Sequence, residues 1–336
     1  MRGDVYMQSQ WLALKVTDLY YCTGCSQNEI AAMLNISKAT VSRLLKRARE
    51  NGYIRFSMPE EYREALSLGE TLAARYGLVE AIVVPDAFHN GESGTSGIEE
   101  LRKALVATEG ARYVQRIITP SDVLGIAWGR TLNLLVNHLN PCRRVDIPFI
   151  TLHGSIQEAD PSLDAEYLVR RMTMAFGGHS LALTDKALYA TEEGLEEVRK
   201  KESVHAIFEM MNRITIAVAG VGGFSPVITS PIGEIGYLKR EELKELQRKD
   251  VSCDFLLRFL DRDGREIASG LSERTLSIRL DAYRKIPCKI LVAAGSLKAD
   301  GVRSVLRAGL AEVLIVDSAL AEALLSGPDG SDGEKE

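Results

Sequence analysis

Between Ser37 and Gly52 the chain reads SKATVSRLLKRARENG, and few backbones other than one short helix suit that string. Val41, Leu44, Leu45 and Ala48 recur at i, i+3, i+4 and i+7, the spacing of a single buried helical face. Ser37 offers a side-chain oxygen to the first turn, and Gly52 stands where the chain leaves the helix. The face opposite the apolar stripe is centred on Ala39, Ser42, Arg43 and Lys46, with Lys38 and Arg49 beside them. Lys38, Arg43, Lys46, Arg47, Arg49 and Arg55 are offset by Glu50 alone, a local balance of +5 in a chain of net charge −5. The remaining residues therefore carry −10. The pattern is a compact basic module attached to an acidic body.

Two further helices are expected ahead of this one. Leu12, Val16 and Leu19 form an apolar stripe, and a second helix spans Gln27 to Leu34. Ser26 and Glu29 have the spacing of a capping box, and Ile30, Ala31 and Leu34 face inward. Asn35-Ile36-Ser37 then makes a tight turn in which Asn35 takes a positive φ. Three helices in this arrangement match the bacterial helix-turn-helix pattern, with the third helix in the major groove of double-stranded operator DNA. Ser37, Lys38, Ala39, Thr40, Ser42, Arg43 and Lys46 are the expected contacts. Small residues permit close approach, while Arg43 and Lys46 reach guanine edges or phosphates. The competing reading of the same stripe is a solvated basic face. Gly52-Tyr53-Ile54-Arg55-Phe56 alternates like a short strand and suggests a rudimentary wing. Cys22 and Cys25 lack the second Cys/His pair that zinc requires, and no strand precedes them as in a thioredoxin-like site. They read as small residues at a helix end, with a redox sensor as the alternative.

At 336 residues the chain is long enough for two domains, and 46% hydrophobic with 26% charged residues is ordinary globular composition. No apolar run approaches the ~18 residues of a membrane-spanning helix. The start, MRGDVYMQSQW, has no apolar core of the secretory kind, and five unevenly spaced cysteines argue against a disulfide framework. A cytoplasmic location is expected. The expected domains are residues 1–57 for DNA binding, 58–326 for effector binding and oligomerisation, and a polar, disordered tail at 327–336.

After the break at Met58-Pro59, residues 62–76 read as a linking helix with apolar Leu66, Leu68, Leu72 and Ala73. Strands are expected at 80–85, 122–128, 146–152, 179–183, 213–219, 255–260, 288–294 and 312–316. Helices are expected near 98–118, 130–139, 164–176, 195–211, 239–247, 299–308 and 318–325. Buried apolar strands alternating with helices indicate an α/β domain, a mostly parallel sheet with helices on both faces, behind an all-α N-terminal domain.

Ligands of such sheets sit beyond the C-terminal strand ends, where helix N-termini offer free N–H groups. Four glycine-bearing exits qualify: Gly129-Arg130-Thr131, Gly154-Ser155, Gly220-Val221-Gly222-Gly223, and Gly295-Ser296 followed by Lys298. The first combines close backbone approach with a cation and a hydroxyl at a helix start. Asp254 suits sugar hydroxyls, and His153 is the one histidine placed at a strand exit. Each feature has a plain reading as well, a turn glycine or a solvated lysine. The glycine run lacks the GxGxxG spacing, and no HExxH or GxSxG occurs, so no cofactor, metal or catalytic set is indicated.

In this order the segments resemble the SorC family of bacterial transcriptional regulators. The carriers, over nearly the whole chain, are the helix-turn-helix at 27–51, Gly125-Ile126-Ala127-Trp128-Gly129-Arg130-Thr131-Leu132, Ala175-Phe176-Gly177-Gly178, Ala219-Gly220-Val221-Gly222, Leu257–Asp261 with Asp263-Gly264, and Ala293-Ala294-Gly295 with Lys298. The resemblance implies a sugar-phosphate-isomerase-like fold used for sensing, a phosphorylated sugar or polyol effector, and a tetramer built as a dimer of dimers on palindromic operators. It further implies a phosphate loop at Gly129, Arg130 and Thr131, a second loop at His153, Gly154 and Ser155, and effector contacts from Gly222, Asp254 and Lys298. The chain departs from the family in two places. It has Leu-His-Gly-Ser where a glycine pair is common, and Val251-Ser252 where glycine is frequent before Cys253-Asp254. The alternative function is a sugar-phosphate isomerase or deaminase with an accessory DNA-binding module.

Overall fold

The structure, a computed structural model, describes residues 9–85 and 95–326. It divides into two compact units, Met1–Pro59 and Glu60–Glu336. The tail expected to be disordered, 327–336, lies outside the described residues.

The first unit holds α1 (Gln10–Tyr21), α2 (Gln27–Met33) and α3 (Lys38–Glu50). Each begins on a serine. Ser9 accepts from Leu12 N–H, Ser37 from Thr40 N–H, and Ser26 shares a reciprocal capping box with Glu29. Glu29's carboxyl is held below its ordinary pKa by those Ser26 hydrogen bonds. Asn35 adopts φ 50, which lets Ile36 N–H reach back to Ala31 O. Val16, Ile30, Val41 and Leu44 are fully buried where the three helices meet. α3 ends in a Schellman motif: Gly52 at φ 70 donates to Arg49 O, and Tyr53 donates to Ala48 O.

The wing expected at Gly52–Phe56 is not a strand. A strand needs a partner, and the described part of this unit has none. Phe56 instead packs edge-on against Tyr21. Cys22 caps the C-terminal end of α1, and Cys25 is half-buried against the helical core.

The second unit opens with α4 (Glu60–Tyr76) and continues through β1 (Glu80–Val84), α5 (Thr95–Ile117), β2 (Leu124–Ile126), α6 (Arg130–Asn137) and β3 (Pro148–Thr151). Then come α7 (Ala165–Phe176), β4 (His179–Leu181), α8 (Glu192–Arg199), α9 (Glu202–Met211), β5 (Ile216–Ala219), β6 (Gly222–Gly223) and α10 (Arg240–Arg248). β7 (Cys253–Phe255), β8 (Arg258–Leu260), α11 (Leu280–Arg284), β9 (Cys288–Val292), α12 (Ala299–Arg307), β10 (Val313–Asp317) and α13 (Ser318–Ser326) complete it. Seven strands form a wholly parallel sheet in the order β1-β10-β9-β5-β2-β3-β4. Its central strands are buried on both faces, as near-continuous apolar runs such as IAVA and VLIVD require.

Two expectations are corrected here. The strand expected at 255–260 is a hairpin, β7 and β8, which joins β6 in a small antiparallel sheet. Its two-residue turn puts Leu256 at φ 55 and Leu257 at φ 62. Such angles cost a leucine about 1–2 kcal/mol, whereas full burial of its side chain is worth roughly 1.5–3 kcal/mol. Both leucines are buried, so tertiary packing holds a turn that the sequence does not advertise. The helix expected at 195–211 breaks into α8 and α9 because Lys201 turns to an extended conformation. Of the apolar residues of α4, Leu66 is 60% exposed. The inner face carries Ala65, Gly69 and Leu72, and a Cβ on Gly69 would lie 2.5 Å from Ala81 O.

Candidate functional site

In the first unit the stripe identified from the sequence is solvent-facing. Ser37, Lys38, Ala39, Ser42, Arg43 and Lys46 are exposed, while Thr40 is half-buried with its hydroxyl 2.9 Å from that of Ser37. Arg43 Nε folds back on Ala39 O at 3.4 Å, and Lys46 lies a loose 3.9 Å from Glu50. Such contacts are weak, so both cations are available to a stronger anion. Arg49 is engaged elsewhere, donating to Tyr21 Oη at 3.1 Å.

In the second unit β9, β5, β2 and β3 are neighbours and all parallel, so their C-terminal ends share one edge. Gly295, Gly220, Gly129 and Gly154 follow those four ends. The chain reverses direction across the sheet between β2, which leads to β3, and β5, which leads on toward β9. Crevices form at such a reversal, and a cavity of about 260 Å³ lies there. Gly129, Arg130, Thr131, Gly222, Asp254 and Lys298 all line it. These are six of the nine effector residues expected from the sequence.

The other three are not brought to the cavity. His153 is fully buried; its Nε2 accepts the Trp128 N–H at 3.1 Å and its Nδ1 donates to Gly154 O at 2.8 Å. Burial holds its pKa below the ordinary value, so the ring is neutral. A Cβ on Gly154 would meet Asp185 O at 2.6 Å, which makes this glycine a packing requirement. Ser155 donates to Asp164 at 2.8 Å and lines a separate cavity beside α7.

The cavity is charged on both signs. α6 starts at Gly129, whose φ of 122 suits glycine alone, and no side chain caps its free N–H groups. Exposed Arg130 lies 3.6 Å from Glu234. Lys103, from α5, pairs with Glu100 at 2.5 Å, and Glu99 lines the same wall. Lys298 ends a short 3-10 turn after Gly295, whose N–H is held by Asp317 at 2.7 Å. Its backbone N–H donates to Gly295 O at 3.1 Å, but among the described residues the Lys298 side chain makes no hydrogen bond or ion pair. Burial first, and then neighbouring Lys103, depress its pKa to about 8. Burial pushes the Asp254 carboxyl up to about 7, against the opposing pull of Ser230 and Lys298. Asp254 Oδ1 and Ser230 Oγ are buried, and neither has a hydrogen bond of normal geometry among the described residues. A Cβ on Gly222 would lie 2.0 Å from the first atom and 2.5 Å from the second, so only glycine leaves them room.

Lys103, Glu100, Ser230 and Glu234 escaped the sequence reading. Ser230-Pro231 carries a turn signal, but Glu100 and Lys103 look like any surface residues of an amphipathic helix. Nothing in their local spacing places them beside residue 298.

A family model described as "Putative sugar-binding domain" matches residues 60–326, and one described as winged helix-turn-helix DNA-binding matches residues 23–55. The chain belongs to the SorC family of transcriptional regulators. It is 29% identical to the sorbitol operon regulator of Klebsiella pneumoniae, over 94% of this chain and 97% of that one. It is 28% identical to the deoxyribonucleoside regulator of Bacillus subtilis, over 95% and 98%. The crystal structure of the full-length sorbitol operon regulator SorC superposes with a TM-score of 0.71 at 26% identity, covering 94% of this chain and 98% of that one. As a SorC-family member the chain is a DNA-binding transcriptional regulator with a sugar-binding domain, and not an isomerase or deaminase. No helix among the described residues is long and apolar enough to cross a membrane.

Proposed function

We propose that this regulator is cytoplasmic and that its effector is a phosphorylated sugar or polyol bound at the cavity between β2, β5 and β9. The phosphate sits on the free N–H groups of α6 beside Arg130 and Thr131, within reach of Lys298. Asp254 and Ser230 take the hydroxyls of the sugar, Gly222 leaving space for both. His153 supports the loop from beneath instead of touching ligand. In the first unit Ser37, Lys38, Ala39, Thr40, Ser42, Arg43 and Lys46 form the DNA face. The assembly is a tetramer, a dimer of dimers on palindromic operator DNA.

The observation that carries this reading is Lys298: a half-buried lysine without a carboxylate partner, on the wall of a cavity that also holds an uncapped helix N-terminus. A half-buried cation balanced only by the field of Asp254 and Asp317, with no carboxylate in contact, is under-compensated, and an anionic ligand relieves that cost. The effector changes operator affinity only through its preference between two arrangements of the oligomer, and a few kcal/mol of preference moves most of the population.

A thermal-shift screen of sugar phosphates against their unphosphorylated parents tests the ligand class. A phosphosugar at 100 times its Kd stabilises by about 2.7 kcal/mol, and its parent sugar leaves the melting point unchanged. Equal shifts from both would remove the phosphate from the proposal. Sedimentation of the protein on a two-half-site duplex tests the tetramer.

A further inference from the structure

The cavity's cations are not equally free. Lys103 is held by Glu100 at 2.5 Å and Arg130 by Glu234 at 3.6 Å, while Lys298 stands bare. In both pairs the cation is the more shielded partner. The Lys103 side chain is 15% exposed against 66% for Glu100, and Arg130 is 52% exposed against 71% for Glu234. Each carboxylate therefore reaches in from solvent to a cation on the cavity wall and can return to water at small desolvation cost.

We infer that Glu100 and Glu234 are specificity-determining residues, occupying in the empty protein the positions on Lys103 and Arg130 that a ligand's anionic group must take. The inference rests on the cavity being the effector site. A sugar acid brings one carboxylate and merely exchanges like for like, with little gain. A phosphate dianion brings two charges and three acceptor oxygens, bridges the released cations to Lys298, and gains on the exchange. The two glutamates thus filter for phosphorylated ligands by competing with everything weaker. Glu99 lines the same cavity without an ion pair among the described residues, so it carries equal charge but does not compete.

Calorimetric titration of the full-length protein with inorganic phosphate and, separately, gluconate tests this. Wild type binds phosphate in preference to gluconate. Glu100→Gln and Glu234→Gln each tighten gluconate by about two- to five-fold, the worth of an exposed ion pair, and narrow the preference for phosphate. Glu99→Gln changes it less than about two-fold, because an exposed, screened carboxylate that holds no cation gives up only weak repulsion. All three sites are exposed, and unchanged melting points confirm folding. Equal effects from Glu99→Gln and Glu100→Gln, or an unaltered preference in both paired variants, overturn the competition while leaving the phosphate site standing. Binding of neither anion by any of the four proteins overturns the site as well.

Discussion

His153 Nε2 accepts the backbone N–H of Trp128 at 3.1 Å, tying the exit of β3 to the exit of β2 beneath the loop that begins at Gly129. The imidazole is completely buried, and its other nitrogen is used by Gly154 O. His153→Ala strands the Trp128 N–H in a dry interior and opens a void. The loss should be about 2–4 kcal/mol in urea denaturation, the sum of an orphaned donor and a cavity. Because the folded ring resists protonation, the unfolded chain binds more protons near pH 6. Stability contributed here is present above the ordinary histidine pKa and declines as pH falls below it. The variant should show a flatter acid limb.

Asp254 has the opposite sign. Its folded pKa of about 7 exceeds the ordinary 3.8, so the native state holds this proton more tightly than the unfolded chain. Stability falls as pH rises between those values and is lowest, on this account, above pH 7. Asp254→Asn should be more stable than wild type at pH 8 by up to about 4 kcal/mol, and close to it at pH 4. Paired melts at the two pH values check this. A stability gain that does not depend on pH would rule out the carboxylate as its source.

Gly222→Ala places a methyl where Asp254 Oδ1 and Ser230 Oγ already lie. Overpacking of this kind costs about 1–3 kcal/mol, and the same methyl fills the floor of the cavity. The variant should keep operator binding while losing its response to any sugar ligand. An intact response would mean that the ligand does not approach Asp254.

Arg43→Ala should weaken operator binding by about 1–3 kcal/mol if the guanidinium reads a base, and should relax preference at one position of each half-site. Lys46→Ala should instead weaken binding evenly across sequences and lower the salt dependence by about one counterion per half-site. Fluorescence anisotropy over a salt series separates the two. Binding by Arg43→Ala with unchanged sequence preference would take Arg43 out of base readout.

Arg130→Ala and Lys298→Ala should each leave operator affinity near wild type and raise the Kd for a sugar phosphate at least tenfold, a lost charge-assisted contact being worth about 1.5–3 kcal/mol. Wild-type ligand affinity in both would refute the phosphate seat.

The first unit was almost fully legible in its sequence. Its helices are set by local rules: Ser26 and Ser37 that cap, Asn35 that tolerates a positive φ, and one stripe, Val41 to Ala48, that must be buried; the third cap, Ser9, was not read. Only the wing was misread, because alternation along one strand says nothing about whether a partner strand exists. The parallel sheet was legible for a similar reason, since each apolar strand and the helix after it carry their own periodicity. What the sequence could not supply was adjacency. Residues 129, 222 and 298 share a cavity because β2, β5 and β9 are neighbours in the sheet, residue 254 joins them because β7 pairs with β6, and strand order is a property of the assembled fold. Adjacency likewise took His153 under a loop, turned Leu256-Leu257 into a hairpin, and set Glu100 and Lys103 on the cavity wall. Capping and periodicity act within a few residues, whereas burial acts on whatever the completed core brings into contact.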